Sequence, residues 1–216
     1  MRKNDKAFLL RMIKYGDTSA VLDFFTQNSG RIQLMGKGVM NQKKRQNLFL
    51  LSENEIEYGN SRNADSLGNS YKITPITICA EAYANPIVAN LLLFVAEFYV
   101  QNTENNHQDN AMYSLLEWSV SRLESGKNIR WFPQEFLHHW GIIGGSDWQV
   151  LWKEALMMNN DKECNVNLYP SSSCAIGELN SKQLRRWAFQ LTLQVLKEYD
   201  LVKSTDYKSI DVLFGG

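Results

Sequence analysis

Apolar and polar positions alternate in short runs through the first eighty residues or so, and then change to a three-and-four spacing. The alternating runs predict strands. Ala7 to Lys14 is apolar and strand-like and stops at the turn residues Gly16-Asp17. Ala20 to Thr26 is rich in Val, Leu and Phe, and Asn28-Ser29-Gly30 follows as a hairpin turn. Arg31 to Met35 alternates as a half-buried strand does, and Leu48 to Leu51 with Glu53 to Tyr58 predicts a further strand bent at Ser52. Tyr71 to Cys79 closes the set, with Ile73, Ile76 and Ile78 available for a core. Phe24 and Phe25 point to opposite faces of one strand, so one of them is expected in the core. Val39 to Asn47 and Gly59 to Asn69 read as loops.

After Ala80 the pattern is helical. Asn85-Pro86 opens a helix with cap and first-turn proline, and Leu92, Val95, Ala96 and Tyr99 share a face. Asp109 to Glu124 carries Met112, Leu115, Leu116, Ser119 and Leu123 at helical spacing. Pro133 to Trp140 reads as a helix ended by Gly141, and Ser146-Asp147 caps a segment holding Val150, Leu151, Ala155 and Met158. Ser181 opens the last long helix, whose predicted stripe is Leu184, Trp187, Ala188, Leu191, Val195 and Tyr199. Cys164 to Glu178 reads as loop or hairpin. The expected fold is α+β: a small, closed or partly open five-stranded β-barrel over residues 1–80, then an α-helical domain over 81–216.

Charge sharpens this division. The chain of 216 residues has no net charge, yet residues 1–80 hold 12 Lys+Arg against 7 Asp+Glu, and residues 81–216 hold 11 against 16. The first part is the one expected to meet phosphates. Three cysteines, Cys79, Cys164 and Cys174, suit a reducing compartment. Met1 to Lys6 lacks the apolar core of a signal peptide, and the apolar run from Ile87 to Val100 is too short to span a bilayer. A cytoplasmic protein is expected.

The candidate chemistry is a basic constellation of Arg11, Lys14, Arg31, Lys37, Lys43, Lys44 and Arg45. Several cations on one groove bind a polyanion because each neutralised phosphate releases counterions. Tyr15 and Phe49 are nearby aromatics able to stack on bases. Composition alone suits equally a solvated Lys43-Lys44-Arg45 loop that keeps the barrel soluble. Gly36 and Gly38 around Lys37 fit a plain turn or a close approach to phosphate. His138 and His139 are adjacent on a helix, about 100° apart, which is poor geometry for one ion. Phosphate-loop, zinc-protease and nucleophile-elbow motifs are absent, so no enzyme activity is expected.

The run Tyr15-Gly16-Asp17-Thr18-Ser19, then Val21 to Thr26, Ser29-Gly30-Arg31-Ile32 and Lys37-Gly38 resembles the start of the RecO family of bacterial recombination mediators. Leu196 to Tyr199 and Lys208 to Leu213 resemble that family's closing helices. The resemblance implies an OB-fold followed by helices, with no catalysis. It implies binding of single- and double-stranded DNA, strand annealing, and help in loading RecA on SSB-coated DNA in the RecFOR pathway. RecR and the SSB C-terminal tail are the implied partners. An acidic tail with a terminal aromatic needs a basic rim beside an apolar pocket, for which Lys182, Arg185 and Arg186 with Trp187 are the candidates. The alternative for these is a core tryptophan with surface arginines paired to carboxylates. Many members hold zinc with four cysteines. Here Cys164 and Cys174 stand alone in that region, so no metal or other cofactor is expected. The competing function is an OB-fold interaction adaptor without significant DNA binding; a metal-dependent enzyme is a third reading.

Overall fold

The computed structural model describes residues 2–41, 48–59, 67–77, 83–126, 129–145, 181–198, 200–204 and 207. Five strands come first: β1 (Arg2–Tyr15), β2 (Ser19–Thr26), β3 (Gly30–Gly36), β4 (Glu53–Gly59) and β5 (Gly68–Thr77). They close into a barrel in the order β1-β2-β3-β5-β4. Helices α1 (Pro86–Asn102), α2 (Asn110–Glu124), α3 (Phe132–Ile143) and α4 (Ser181–Glu198) follow, with a 3-10 turn at Ile129–Trp131 before α3. The fold is the expected α+β arrangement of a five-stranded barrel and then helices.

Two short turns make the first three strands one antiparallel meander. Gly16 (φ 64°) turns β1 into β2, and Gly30 (φ 66°) turns β2 into β3. The second turn is tied by side chains. Thr26 Oγ1 accepts from the Ser29 amide at 2.9 Å and donates to the Gly30 carbonyl at 2.9 Å. The Asp5 carboxylate accepts from the Asn28 side-chain amide at 2.8 Å. Gly30 is needed twice over, because a side chain there would run into the His107 backbone carbonyl.

Alternation places Ala7, Leu9, Leu22, Phe24, Ile32, Leu34, Ile56 and Ile73 inside the barrel, with Tyr58 closing one end. The register of β1 on β2 slips between Leu9 and Arg11, so Leu10 is an extra residue and the strand bulges there. Barrel closure is narrow: β3 and β5 run parallel and pair only at Leu34↔Gly68 and Met35↔Asn69. Gly68 permits that approach, since a Cβ would lie 2.7 Å from the Gly59 carbonyl oxygen and 2.8 Å from Leu34 Cδ2. The other end of β3 is sealed by the chain after α1, where Asn105 bridges Arg31 and the Asn106 amide donates to the Arg31 carbonyl at 2.8 Å.

Several expectations shift. Leu48 to Leu51 is not strand: Leu51 adopts φ 54°, and β4 begins only at Glu53. Leu48 and Leu50 pack on the barrel core instead. Ile73 is buried but Ile76 is 48% exposed, at the point where the β4–β5 register slips between Asn54↔Pro75 and Glu53↔Thr77 and leaves Ile76 as the extra residue. Phe24 and Phe25 are both buried, Phe24 inside the barrel and Phe25 outside it under a helix.

The strand-to-helix change falls after Thr77, yet the compact units divide later: Met1–Ile129 with Tyr207–Leu213, and Arg130–Asp206 with Phe214–Gly216. In the first unit α1 starts as expected, Asn85 accepting from the Ile87 amide at 3.0 Å with Pro86 in the first turn. Asp109 caps α2 through the Met112 amide at 3.0 Å. The expected α1 stripe of Leu92, Val95, Ala96 and Tyr99 is buried, and Tyr207 stacks on Phe98 with ring centres 5.2 Å apart.

In the second unit α3 runs through Gly141, which is buried, and stops at the Gly144-Gly145 pair, where Gly145 has φ 79°. Trp140 Nε1 donates to the Leu201 carbonyl at 2.9 Å. On α4 the buried positions include Ala188, Phe189, Thr192, Leu193 and Leu196; Ala188 is the member of the expected stripe whose side chain is described. The segment capped at Ser146-Asp147 and the Cys164 to Glu178 stretch lie outside the described residues. No helix among the described residues is long and apolar enough to cross a membrane.

Candidate nucleic-acid interface

The register of β1, β2 and β3 lays the outer face of the barrel out in rows. They run Phe8–Phe25–Arg31, then Arg11–Asp23–Gln33, then Ile13–Val21–Met35, and last Tyr15–Ser19. The first row is covered by helix. Phe25 meets Tyr99 edge-on with ring centres 5.3 Å apart, and Phe8 meets Tyr113 at 5.3 Å. Burial pushes the Tyr99 hydroxyl well above the usual tyrosine range, as it does Tyr113, whose hydroxyl also donates to Glu53 at 3.2 Å.

The second row is a charged seam centred on Asp23, a buried carboxylate. Arg31 grips it with two parallel bonds, Nε and Nη2 each at 2.9 Å. Arg11 Nη2 adds a third at 3.0 Å and Gln33 Nε2 a fourth at 3.2 Å. The remaining nitrogen of Arg31, Nη1, donates to the Val100 carbonyl at 2.6 Å and the Thr103 carbonyl at 3.3 Å. It thereby satisfies carbonyl groups at the C-terminal end of α1. Arg31, expected on sequence to contact phosphate, is instead built into the fold: its side chain is 10% exposed and its donors are engaged. Arg11 keeps 42% exposure while held to Asp23.

The last two rows are bare. Ile13 is 47% exposed and Tyr15 63%, and Val21 and Met35 are half-buried. Lys37 is exposed at this end of the sheet, and Lys14, which pairs with Ala20 on the opposite face of β1, is exposed too; neither has an ion pair among the described residues. The turns are tied together by the Met40 amide donating to the Thr18 carbonyl at 2.9 Å. Gly38 sits at φ 77° with open space around it, so its role is the turn itself. Gly36 is a packing glycine, its Cβ position 2.8 Å from Leu22 Cδ1. Of the two expected stacking aromatics, Tyr15 is exposed, whereas Phe49 is engaged by Tyr83 with ring centres 5.8 Å apart. Lys43, Lys44 and Arg45 lie outside the described residues. The row Ile13–Val21–Met35 was missed by the sequence reading. Its signal was apolar residues continuing at every second position past the Leu10 bulge.

In the second unit, the Arg185 guanidinium lies 6.0 Å from the centre of the Trp131 ring. Burial and then the nearby charge of Arg130 lower its pKa. Arg186 is exposed, while the side chains of Lys182 and Trp187 lie outside the described ones. The structure thus adds Arg130 and Trp131 to the basic group. Their signal was the Arg-Trp pair just before Phe132-Pro133. His138 and His139 stack with ring centres 5.9 Å apart, and burial, reinforced by His139, takes the His138 pKa down to about 4. No group of metal-binding side chains occurs among the described residues; Cys164 and Cys174 lie outside them.

Against known proteins, residues 1–78 match the family model described as Recombination protein O N terminal. The DNA repair proteins RecO of Salmonella paratyphi B, Salmonella newport and Salmonella heidelberg are each 28% identical over 103 residues. That match spans 43% of this chain and 42% of each relative, less than half of either. The N-terminal barrel of this chain is therefore similar to the N-terminal domain of RecO proteins over residues 1–78.

Proposed function

We propose that this protein is a non-catalytic mediator of DNA repair and recombination. Its barrel binds single- and double-stranded DNA and anneals complementary strands, and the protein helps load RecA on SSB-coated DNA in the cytoplasm. The observation that carries the reading is the bare end of the β1–β2–β3 face on a RecO-type barrel, where Tyr15 and Lys37 are exposed, with Lys14 exposed on the other side of β1. Lys43, Lys44 and Arg45 follow β3 and its turn in the sequence and are the further cations of this reading, with Arg11 held to Asp23. Residues 81–216 are the partner-docking part: RecR is one partner, and Lys182, Arg185 and Arg186 form the basic rim for the acidic tail of SSB.

The test is a salt titration of binding to single-stranded DNA. Affinity is expected to fall steeply with salt. Replacing Lys43, Lys44 and Arg45 together by Gln should flatten the slope by about 2, at roughly 0.7 for each lost phosphate contact. An unchanged slope would remove those three residues from the interface. The second reading, an interaction adaptor, is favoured by the diversion of Arg11 and Arg31 to Asp23. It predicts no gel shift with either form of DNA at physiological salt.

A further inference from the structure

Strand β1 has its two neighbours over different stretches: β4 along Arg2–Phe8 and β2 along Ala7–Tyr15. The β4 side is closed at Leu9, whose amide donates to the Ser52 carbonyl at 3.3 Å and whose carbonyl accepts from the Leu51 amide at 2.7 Å. Backbone groups of successive residues turn to alternate sides of a strand. Lys6 turns to the β2 side, where its carbonyl accepts from the Gln27 amide, and Leu9 turns to the other. Counted on through the Leu10 bulge, Arg11, Ile13 and Tyr15 turn to β2, and Met12 and Lys14 turn away from it. Among the described residues nothing pairs with Met12 or Lys14 on that side. The end of β1 is therefore an open strand edge. Three of the eight exposed large apolar side chains among the described residues, Met12, Ile13 and Tyr15, lie on it. We infer that this edge pairs with the same edge of a second copy of the chain, antiparallel about a two-fold axis at Ile13, so that two barrels share one sheet. Pairing of this kind goes beyond DNA binding and does not depend on it.

Register selects both the occupant and the axis. A self-paired edge must set outward-turned residues opposite outward-turned ones. An axis at Ile13 does so, because Met12 then meets the second copy's Lys14 and each pair exchanges both of its backbone bonds. An axis at Lys14 would set two ammonium groups face to face, and one at Met12 would set Ile13 against Arg11. With the axis at Ile13 the two Ile13 side chains oppose each other at a non-bonded pair, where antiparallel strands bring side chains closest. The outer row Met35–Val21–Ile13 then runs on through the second copy's Ile13, Val21 and Met35. Tyr15 comes beside the second copy's Arg11, a guanidinium 42% exposed and already oriented by Asp23 at 3.0 Å, which suits a cation–π contact. Edges that must stay single are guarded by prolines or by several charges. This one has no proline from Leu10 to Tyr15, and Arg11 is drawn onto Asp23, which leaves Lys14 as its guard.

The test is sedimentation equilibrium of the full chain, without DNA, over a wide range of protein concentration. The average mass should rise from that of one chain toward that of two. Met12→Pro removes an amide that β2 does not use, so the barrel keeps its ladder while the shared edge loses that bond from both copies. It should weaken association by about tenfold. Ile13→Lys sets like charges at the axis from a half-exposed position, should weaken association as much, and serves if the proline variant does not fold. In a chain whose three cysteines are replaced by serine, Ile13→Cys should form a disulfide with its own copy under mild oxidation. Met35→Cys, two strands further from the axis, should not. The mass of one chain at every concentration overturns the pairing. A dimer that Met12→Pro and Ile13→Lys both leave intact overturns it too, as does one that links through Met35→Cys as readily as through Ile13→Cys. These results are read without DNA, so they stand apart from the outcome of the salt titration.

Discussion

The outer face of β1, β2 and β3 is one surface with two fates. At one end Phe8, Phe25 and Arg31 face helices α1 and α2 and are buried; at the other Ile13 and Tyr15 face solvent. Both ends are largely apolar, so hydrophobicity does not distinguish structural from available surface. The boundary is the Asp23 seam, where one carboxylate collects two arginines and a glutamine. The contrast shows that a cation's availability depends on its row. Arg31 and Lys37 are six residues apart, yet only the lysine is left exposed.

The sharpest way to break this comparison is Arg31→Met. It leaves Asp23 buried with a weaker set of donors and the Val100 and Thr103 carbonyls without theirs. The expected loss is about 3 kcal/mol by urea denaturation. Adding Asp23→Asn should recover part of that loss, since the uncompensated charge disappears. Arg31→Met should not change the salt slope of DNA binding when measured where the variant is folded.

Next is Phe25→Ala against Ile13→Ala. The first empties a site packed on Tyr99 and should cost about 3 kcal/mol. The second trims a half-exposed side chain and should stay within about 0.5 kcal/mol. Equal costs would mean that the bare end is structural after all.

A smaller effect comes from pH. Burial and then Glu53 hold the Tyr113 hydroxyl protonated in the folded chain, well above its ordinary value. A pKa raised by folding stabilises below the unfolded value and is lost as pH rises beyond it. Stability should therefore decline above pH of about 10, and Tyr113→Phe should shed part of that decline in unfolding curves across this range.

Smallest in stability terms are Lys14→Gln and Lys37→Gln. Each should leave unfolding unchanged and lower the salt slope of single-strand binding by about 0.7.

The meander was legible because its signals are local: turn residues at Gly16 and Asn28-Ser29-Gly30, and alternation between them. Helix starts were legible for the same reason, since Asn85 and Asp109 cap with their own side chains. What stayed hidden depends on neighbours distant in sequence. Alternation promises a core place to only one of Phe24 and Phe25; both are buried because Tyr99, seventy-odd residues on, covers Phe25. Arg31 reads as a surface cation until Asp23 and the end of α1 take its donors. The bulge at Leu10 shifts the phase of β1 without any glycine or proline to mark it. Gly141 reads as a stop, but helical packing tolerates it and the chain ends α3 at the next glycine pair.

The narrow seam between β3 and β5 has a kinetic consequence. Hairpins β1–β2 and β2–β3 close over two short turns and pair β2 along its whole length on both sides, so they can form early. The β3–β5 contact joins residues more than thirty positions apart through two pairs and gains little until everything else is in place. The barrel is therefore expected to zip from the meander outward and to latch last at Gly68. In the native protein, that same latch is where amide protons around Leu34 and Gly68 should exchange ahead of those in the meander.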